Sequence, residues 1–277
     1  MSLAVDSSPA RPESAWAGRL GEALRRFFLH RRWIAFFLVL LAWQVITMRM
    51  TSGLFPTPFR VAEAMYDIVA TGLFFEHIGD SFLRIGIGFV AAMLLGTAVG
   101  VLMGSRRFWE QFFQDVLVVG LSLPGLIYAL LSVIIFGLGL TAPVMAILVA
   151  SYPFIAVNIR EGVKAIDKEL IDMTRAYRVE QQKVLRQVIL PSLMPFIFAA
   201  IRVGFTIAWK VSVLTEVFGA SSGVGYMMRV DFQLFRIRGI MAWGLLFGGV
   251  MLLIEYGILL PAERHFARWR PRMEKVI

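Results

Sequence analysis

Few residues in this sequence are placed to do chemistry. Its three histidines, His30, His77 and His265, are far apart, and none stands in the His-Glu-x-x-His spacing of a zinc hydrolase. There is no cysteine, which excludes disulfides, thiolate metal sites and a cysteine nucleophile. Gly-Lys never occurs, so the chain lacks the Gly-x-x-x-x-Gly-Lys-Ser/Thr loop that cradles phosphates. Ser221 and Ser222 lie in a Gly-rich stretch with no nearby base, which fits a loop better than a nucleophile. No catalytic residue, metal ligand set or cofactor site is therefore predicted. What remains is electrostatic. Arg202, Lys210 and Glu216 stand in strongly apolar surroundings, and a dense charged stretch covers residues 161–191.

The elements that must position these charges follow from composition. Of the 277 residues, 58% are apolar and 17% charged, and mean hydropathy is +0.72. Soluble domains carry about 45–50% apolar and about 25% charged residues, so a soluble fold is not expected. A helix needs about 20 apolar residues to cross a bilayer core. Six stretches qualify: about Trp33 to Met48, Ile85 to Met103, Val116 to Phe136, Pro143 to Val157, Leu193 to Val217, and Ile240 to Leu260. The basic leader before the first is long and no small-residue cleavage site follows Met48, so this stretch reads as a retained helix.

Orientation follows from loop Lys and Arg. Six arginines precede the first span, Arg106 and Arg107 follow the second, and seven cations from Arg160 to Arg186 follow the fourth. Arg264, Arg268, Arg270, Arg272 and Lys275 follow the sixth. Twenty of the 28 cationic residues thus fall on one side, and both termini are predicted to be cytoplasmic. The net charge of +9 then reflects orientation beside anionic lipid, not nucleic-acid binding. The expected organisation is a basic leader over 1–32, a six-span domain over 33–263 and a basic tail over 264–277.

Between the spans, residues 15–29 place Trp16, Leu20, Ala23, Leu24 and Phe27 at helical spacing, read either as an interfacial helix or as a solvated leader. In the external loop 51–81, Thr57 can cap a helix and Pro58 suits its first turn. Val61, Ala64, Met65, Ile68 and Val69 then form an amphipathic stripe. Gly88, Ala92, Gly96, Gly100 and Gly104 recur every fourth residue, which predicts close helix packing, with a dimer seam or a pore-lining groove as alternatives. Pro124-Gly125 should break the third span and free the carbonyl of Gly120. Either this break lines a transport pathway, with Tyr128 one turn on, or it is a packing kink.

Within the membrane, Arg202 lies about nine residues, or about 14 Å, into the fifth span. Lys210 and Glu216 follow toward its outer end. Two cations on one span either draw an anionic solute or are satisfied internally, Arg202 by a carboxylate or carbonyl and Lys210 by snorkelling. Glu255 and Asp115 are the candidate partners. Together Pro124, Tyr128, Arg202, Lys210 and Glu216 form the predicted substrate pathway.

The charged stretch is the most informative. Asp167 can cap a helix through Tyr177, and a second helix from about Glu180 leads to Ile189-Leu190-Pro191. Such a structured knob suits a protein partner. At this knob the sequence resembles the permease subunits of bacterial ABC importers, whose signature is Glu-Ala-Ala, a Gly three residues later, then Ile-x-Leu-Pro. Asp172-Met173-Thr174 stands at the Glu-Ala-Ala position and Ile189-Leu190-Pro191 covers the end. Arg178 stands where the family has Gly, which implies a differently built turn or a longer helix. Phe55-Pro56-Thr57-Pro58 and Glu216 to Tyr226 look like segments of the nitrate/sulfonate/taurine permease group.

The resemblance implies an all-α membrane protein of type I importer permease architecture in the bacterial inner membrane. It implies a homodimer working with two ATP-binding cassette subunits, which bear ATP and Mg, and with an extracytoplasmic solute-binding protein. Asp172, Met173, Thr174, Arg175, Tyr177 and Arg178 become the expected ATPase-docking residues. An ATP-independent secondary transporter or channel is the alternative, and it leaves the knob unexplained.

Overall fold

A computed structural model describes residues 34–49 and 55–266. The helix expected over 15–29, the rest of the leader and the end of the tail lie outside the described residues. The chain divides into two units, Met1–Val61 and Ala62–Ile277.

In the first unit α1 (Ile34–Arg49) is apolar but shorter than a full crossing. The indole N–H of Trp43 donates to the Pro56 carbonyl at 3.2 Å. Thr57 Oγ1 accepts from the Arg60 amide at 3.4 Å, and Pro58 opens α2 (Pro58–Ala70), as the capping pattern predicts.

The second unit is all-helical. Gly72, at φ 80°, ends α2 and starts α3 (Leu73–Ser105). The external loop expected to reach Ser81 is therefore shorter. The first turns of α3 are helical because His77, Ile78, Ser81 and Arg84 are buried in the protein. Then follow α4 (Arg107–Ser122), α5 (Gly125–Phe136), α6 (Thr141–Lys164) and α7 (Lys168–Ala176). A short α8 (Gln181–Val184), a π-helical turn (Leu185–Ile189) and α9 (Leu190–Gly219) form one unbroken rod. Next are α10 (Val224–Gln233), α11 (Ile237–Ile254), a second π-helical turn (Glu255–Leu259) and α12 (Leu260–Phe266).

Among the described residues four segments are long and apolar enough to cross a membrane: Leu73–Ser105, Thr141–Lys164, Gln181–Gly219 and Ile237–His265. The bent pair α4 and α5, at 100° to each other, makes a fifth if it is one crossing. Packing decides that it is. A Cβ on Gly88 would lie 2.8 Å from Ile147, and one on Gly96 would lie 2.7 Å from Ile155. On Gly100 it would meet the Ala156 carbonyl at 2.6 Å. Partners advance together along both helices, so α3 and α6 run parallel. The chain leaves α3 on one side and enters α6 on the other, and α4–α5 must carry it back across. The predicted small-residue stripe is thus an internal helix seam, and the dimer-seam and pore-groove alternatives do not apply to it.

The same test makes α9 antiparallel to α6, since Gly162 abuts Phe196 and Gly204 abuts Ile155. It makes α11 antiparallel to α9, since Trp209 stacks on Phe247 with centroids 3.9 Å apart and Arg202 reaches Glu255. The main core joins Ile85, Ile147, Trp209, Val211, Val224, Trp243 and Phe247 from α3, α6, α9, α10 and α11.

Because even a Cβ on Gly96 would meet Ile155 at 2.7 Å and the Tyr152 carbonyl at 2.9 Å, Gly96→Leu should overpack the seam by about 1–3 kcal/mol or more. Gly86→Ala, with nothing within 4 Å of the added Cβ, should be neutral. Thermal unfolding of the purified protein in detergent checks both.

Candidate functional site

The knob between α6 and α9 is built as a closed helical turn. Asp167 caps α7, its Oδ1 accepting from the Glu169 amide at 2.8 Å. At the other end the Arg178 amide donates to the Arg175 carbonyl (3.0 Å), and the Val179 amide to the Thr174 carbonyl (2.9 Å). This is the Schellman pattern, which needs a left-handed residue. Arg178 supplies it at φ 52°. The turn expected to be differently built is thus the usual one with an arginine in it, at a cost of roughly 1–2 kcal/mol relative to Gly. α8 then starts at Gln181, as the second predicted helix requires.

The knob presents an apolar stripe. Leu170, Met173 and Tyr177 are 42%, 52% and 78% exposed and share one face of α7 by their i, i+3, i+7 spacing. Asp172 and Arg175 pair at 3.3 Å with both side chains exposed. Such a pair contributes little to stability and is available to other partners. Thr174 is buried, its hydroxyl donating to the Ile171 carbonyl at 2.7 Å, so it shapes the knob from within. Sequence reasoning missed Leu170, although its spacing to Met173 and Tyr177 was there to be read. Between α7 and α8 lies a cavity of about 410 Å³, lined by Ile171, Arg175, Val179, Val184, Leu185 and Ile189.

The predicted pathway residues do not converge on one point. Pro124 is exposed at the α4–α5 break. Tyr128 is buried, and its hydroxyl donates to the Gly120 carbonyl at 2.6 Å, satisfying the group that the proline frees. Arg202 is paired with Glu255 and, at 3.5 Å, with Glu263. Glu255 was anticipated as a partner, Glu263 was not, and Asp115 makes no ion pair among the described residues. With one cation between two carboxylates, Arg202 offers no spare positive charge. Lys210 is exposed and makes no ion pair among the described residues.

Glu216 sits in a network that the sequence did not reveal. It is fully buried and accepts from Ser81 Oγ at 2.8 Å, Arg84 Nη1 at 3.1 Å, Ser212 Oγ at 3.3 Å and the Gly225 amide at 3.0 Å. Arg84 also donates to the Ser222 carbonyl (2.8 Å) and hydroxyl (2.7 Å). Ser81 Oγ accepts from the Val224 amide at 3.0 Å, and His77 Nδ1 from the Gly223 amide at 3.2 Å. Side chains of α3 and α9 thus satisfy the first amides of α10, with a carboxylate at the positive end of that helix. Gly223, at φ 103°, makes the turn. Nearby, a cavity of about 220 Å³ is lined by Asp67, Asp231, Arg236, Arg238 and Trp243. Burial raises the pKa of Asp231 against the lowering effect of Arg236 and Arg238.

With this geometry in hand, known proteins provide the comparison. Residues 85–260 match the family described as binding-protein-dependent transport system inner membrane component. The chain belongs to this family. It is 27% identical over 238 residues to the taurine transport system permease protein TauC of Escherichia coli (strain K12), covering 84% of this chain and 86% of that protein. It is 24% identical over 196 residues to the nitrate import permease protein NrtB of Synechococcus elongatus, covering 67% and 70%. Among solved structures, an inward-facing MetNI methionine ABC transporter superposes with TM-score 0.53 at 19% identity over 78% of this chain and 99% of that one. An amino acid ABC transporter solved with histidines gives 0.56 at 20% identity, over 72% and 96%. The chain is accordingly an inner-membrane permease subunit of an ABC importer. The ATPase is a separate subunit, a binding protein delivers the solute, and the permease family carries no cofactor of its own.

Two outcomes test this permease's local structure. Glu216→Ala strands Arg84 as a buried unpaired charge and should cost about 3–5 kcal/mol, read as a lower melting temperature in detergent. Arg178→Gly should relieve about 1 kcal/mol of strain and slow hydrogen exchange over residues 168–184.

Proposed function

We propose that the permease spans the membrane six times, with α1 as the first crossing and both termini cytoplasmic, and acts as a homodimer with two ATPase subunits. Residues 33–263 form the transmembrane domain between the 1–32 leader and the 264–277 tail, and the loop 161–191 couples it to ATP hydrolysis. The observation that carries this reading is the capped, Schellman-closed α7 with its exposed Leu170, Met173 and Tyr177 stripe. An exposed apolar stripe on a rigid element, ringed by charges that are not committed to strong pairs, is suited to enter a cleft on a protein. Met173, Tyr177 and Leu170 then bury apolar surface on the ATPase, while Asp172, Arg175 and Arg178 contact its rim. Thr174 holds the helix in shape.

For the solute, we favour a small anion or zwitterion of the sulfonate, taurine or nitrate class. The support is the likeness to permeases named for taurine and nitrate. In the structure the support narrows to Lys210, because Arg202 is neutralised by its two carboxylates. Pro124 and Tyr128 are retained as pathway candidates on the break between α4 and α5. Glu216 is assigned to holding α10, in keeping with its complete burial.

Tyr177→Ala and Met173→Ala together should abolish co-purification with the ATPase subunit while leaving membrane insertion and melting temperature unchanged. Unaltered co-purification and full uptake in proteoliposomes would overturn the docking assignment.

A further inference from the structure

Arg202 stands one helix-length from the knob, yet it faces α11 and α12 rather than the knob. It binds Glu255 and, at 3.5 Å, Glu263. Its side chain is 44% exposed, against 15% for Glu255 and 42% for Glu263. Ionisable groups placed this far along an apolar helix are costly and are retained for a purpose. A guanidinium has enough donors to serve two carboxylates at once, so the three groups tie the lower half of α9 to two successive segments of the last crossing.

What lies on either side of this tie is informative. Below it, the rod from Gln181 to Gly219 is continuous with the knob; it carries the π turn Leu185–Ile189 at its base and Pro195 inside α9, and the helix runs on through both. Across it, Glu255 is the first residue of the second π turn, Glu255–Leu259. Glu263 stands beyond that turn on α12. Arg202 therefore grips the last crossing at the first residue of its π turn and again beyond it. Such turns are local weak points in a helix and are frequent at functional sites. Above the tie, α9 and α11 are joined by the stacked Trp209 and Phe247, a contact within the main core. The upper join is packed and apolar. The lower one is ionic and half-exposed, and it can change geometry without opening a core.

We propose that Arg202, Glu255 and Glu263 form an ionic strut that passes displacement of the knob through the α9 rod to the last crossing, bending it at the Glu255–Leu259 turn. In this role they are positioning residues, acting through α9 and the last crossing rather than on ATP or solute. The strut rests on the coupling role proposed for residues 161–191.

The chain has no cysteine, so the permease, labelled before assembly with its partners, carries single reporters without background. The assay uses the assembled importer with its ATPase and binding protein in lipid nanodiscs. An environment-sensitive fluorophore is placed at Gln182→Cys, in the knob, or at Leu253→Cys, exposed on α11 just before the π turn. ATP with vanadate is the trigger. In the otherwise unmodified chain both reporters should respond. Arg202→Gln should keep the Gln182 response and lose the Leu253 response. Arg202→Lys should retain the Leu253 response, and the exchange R202E/E255R should restore it. Persistence of the Leu253 response in Arg202→Gln would overturn the strut. So would its loss in Arg202→Lys while the Gln182 response remains. A silent Gln182 reporter in the unmodified assembled importer would instead overturn the coupling role of 161–191, and the strut with it.

Discussion

The parallel seam between α3 and α6 is the constraint on which the rest of the second unit depends. Small residues every four positions let two helix backbones approach so closely that the larger side chains of α6 seat directly against the α3 backbone. In lipid there is little hydrophobic gain from helix association, and such close packing is what holds helices together. Because the register runs the same way along both helices, the intervening chain must return across the membrane. That requirement turns α4 and α5 into one crossing despite the 100° bend between them. The freed Gly120 carbonyl is then met by Tyr128, so the break leaves this backbone group satisfied inside the protein.

Charge is handled differently at two places along α9. At the Ser222 end, Glu216 and Arg84 are both buried and surrounded by hydroxyls and amides, so nearly every lone pair of the carboxylate is used. A buried pair of this kind is tolerable only because additional hydrogen bonds accompany it. It fixes where α10 begins and so the shape of the α9–α10 turn. Midway along the helix, Arg202 shares two carboxylates in a half-exposed setting. There the pairing holds two helices at a distance without locking them into a packed core. One arrangement is built for rigidity and the other for adjustable contact.

The knob shows how local strain and exposure combine. Arg178 occupies a left-handed position at which glycine would cost less, and the Schellman bonds hold it there. The result is a short, capped helix whose apolar stripe of Leu170, Met173 and Tyr177 stays exposed among the described residues.

Much of this architecture was legible in the sequence. The crossings α3, α6, α9 and α11 announce themselves as long apolar runs, the break at Pro124 follows from proline chemistry, and Asp167 and Thr57 mark helix starts through their capping side chains. Period-four small residues declared a close seam, but not which helix fills it, because hydrophobic periodicity names a face and never its partner. For the same reason Arg84 looked like a residue at a span edge, and Glu216 like one at the outer boundary. Their pairing joins positions 132 residues apart, and no local pattern encodes such a distance. The sequence by itself determined that several long apolar segments exist, which capping residues open α2 and α7, and where charge is placed along the chain, because those are local properties of propensity, capping and hydropathy. Only the tertiary structure decided which charges neutralise one another, and hence that Arg202 is compensated while Lys210 has no ion pair among the described residues, because that depends on which helix faces come together.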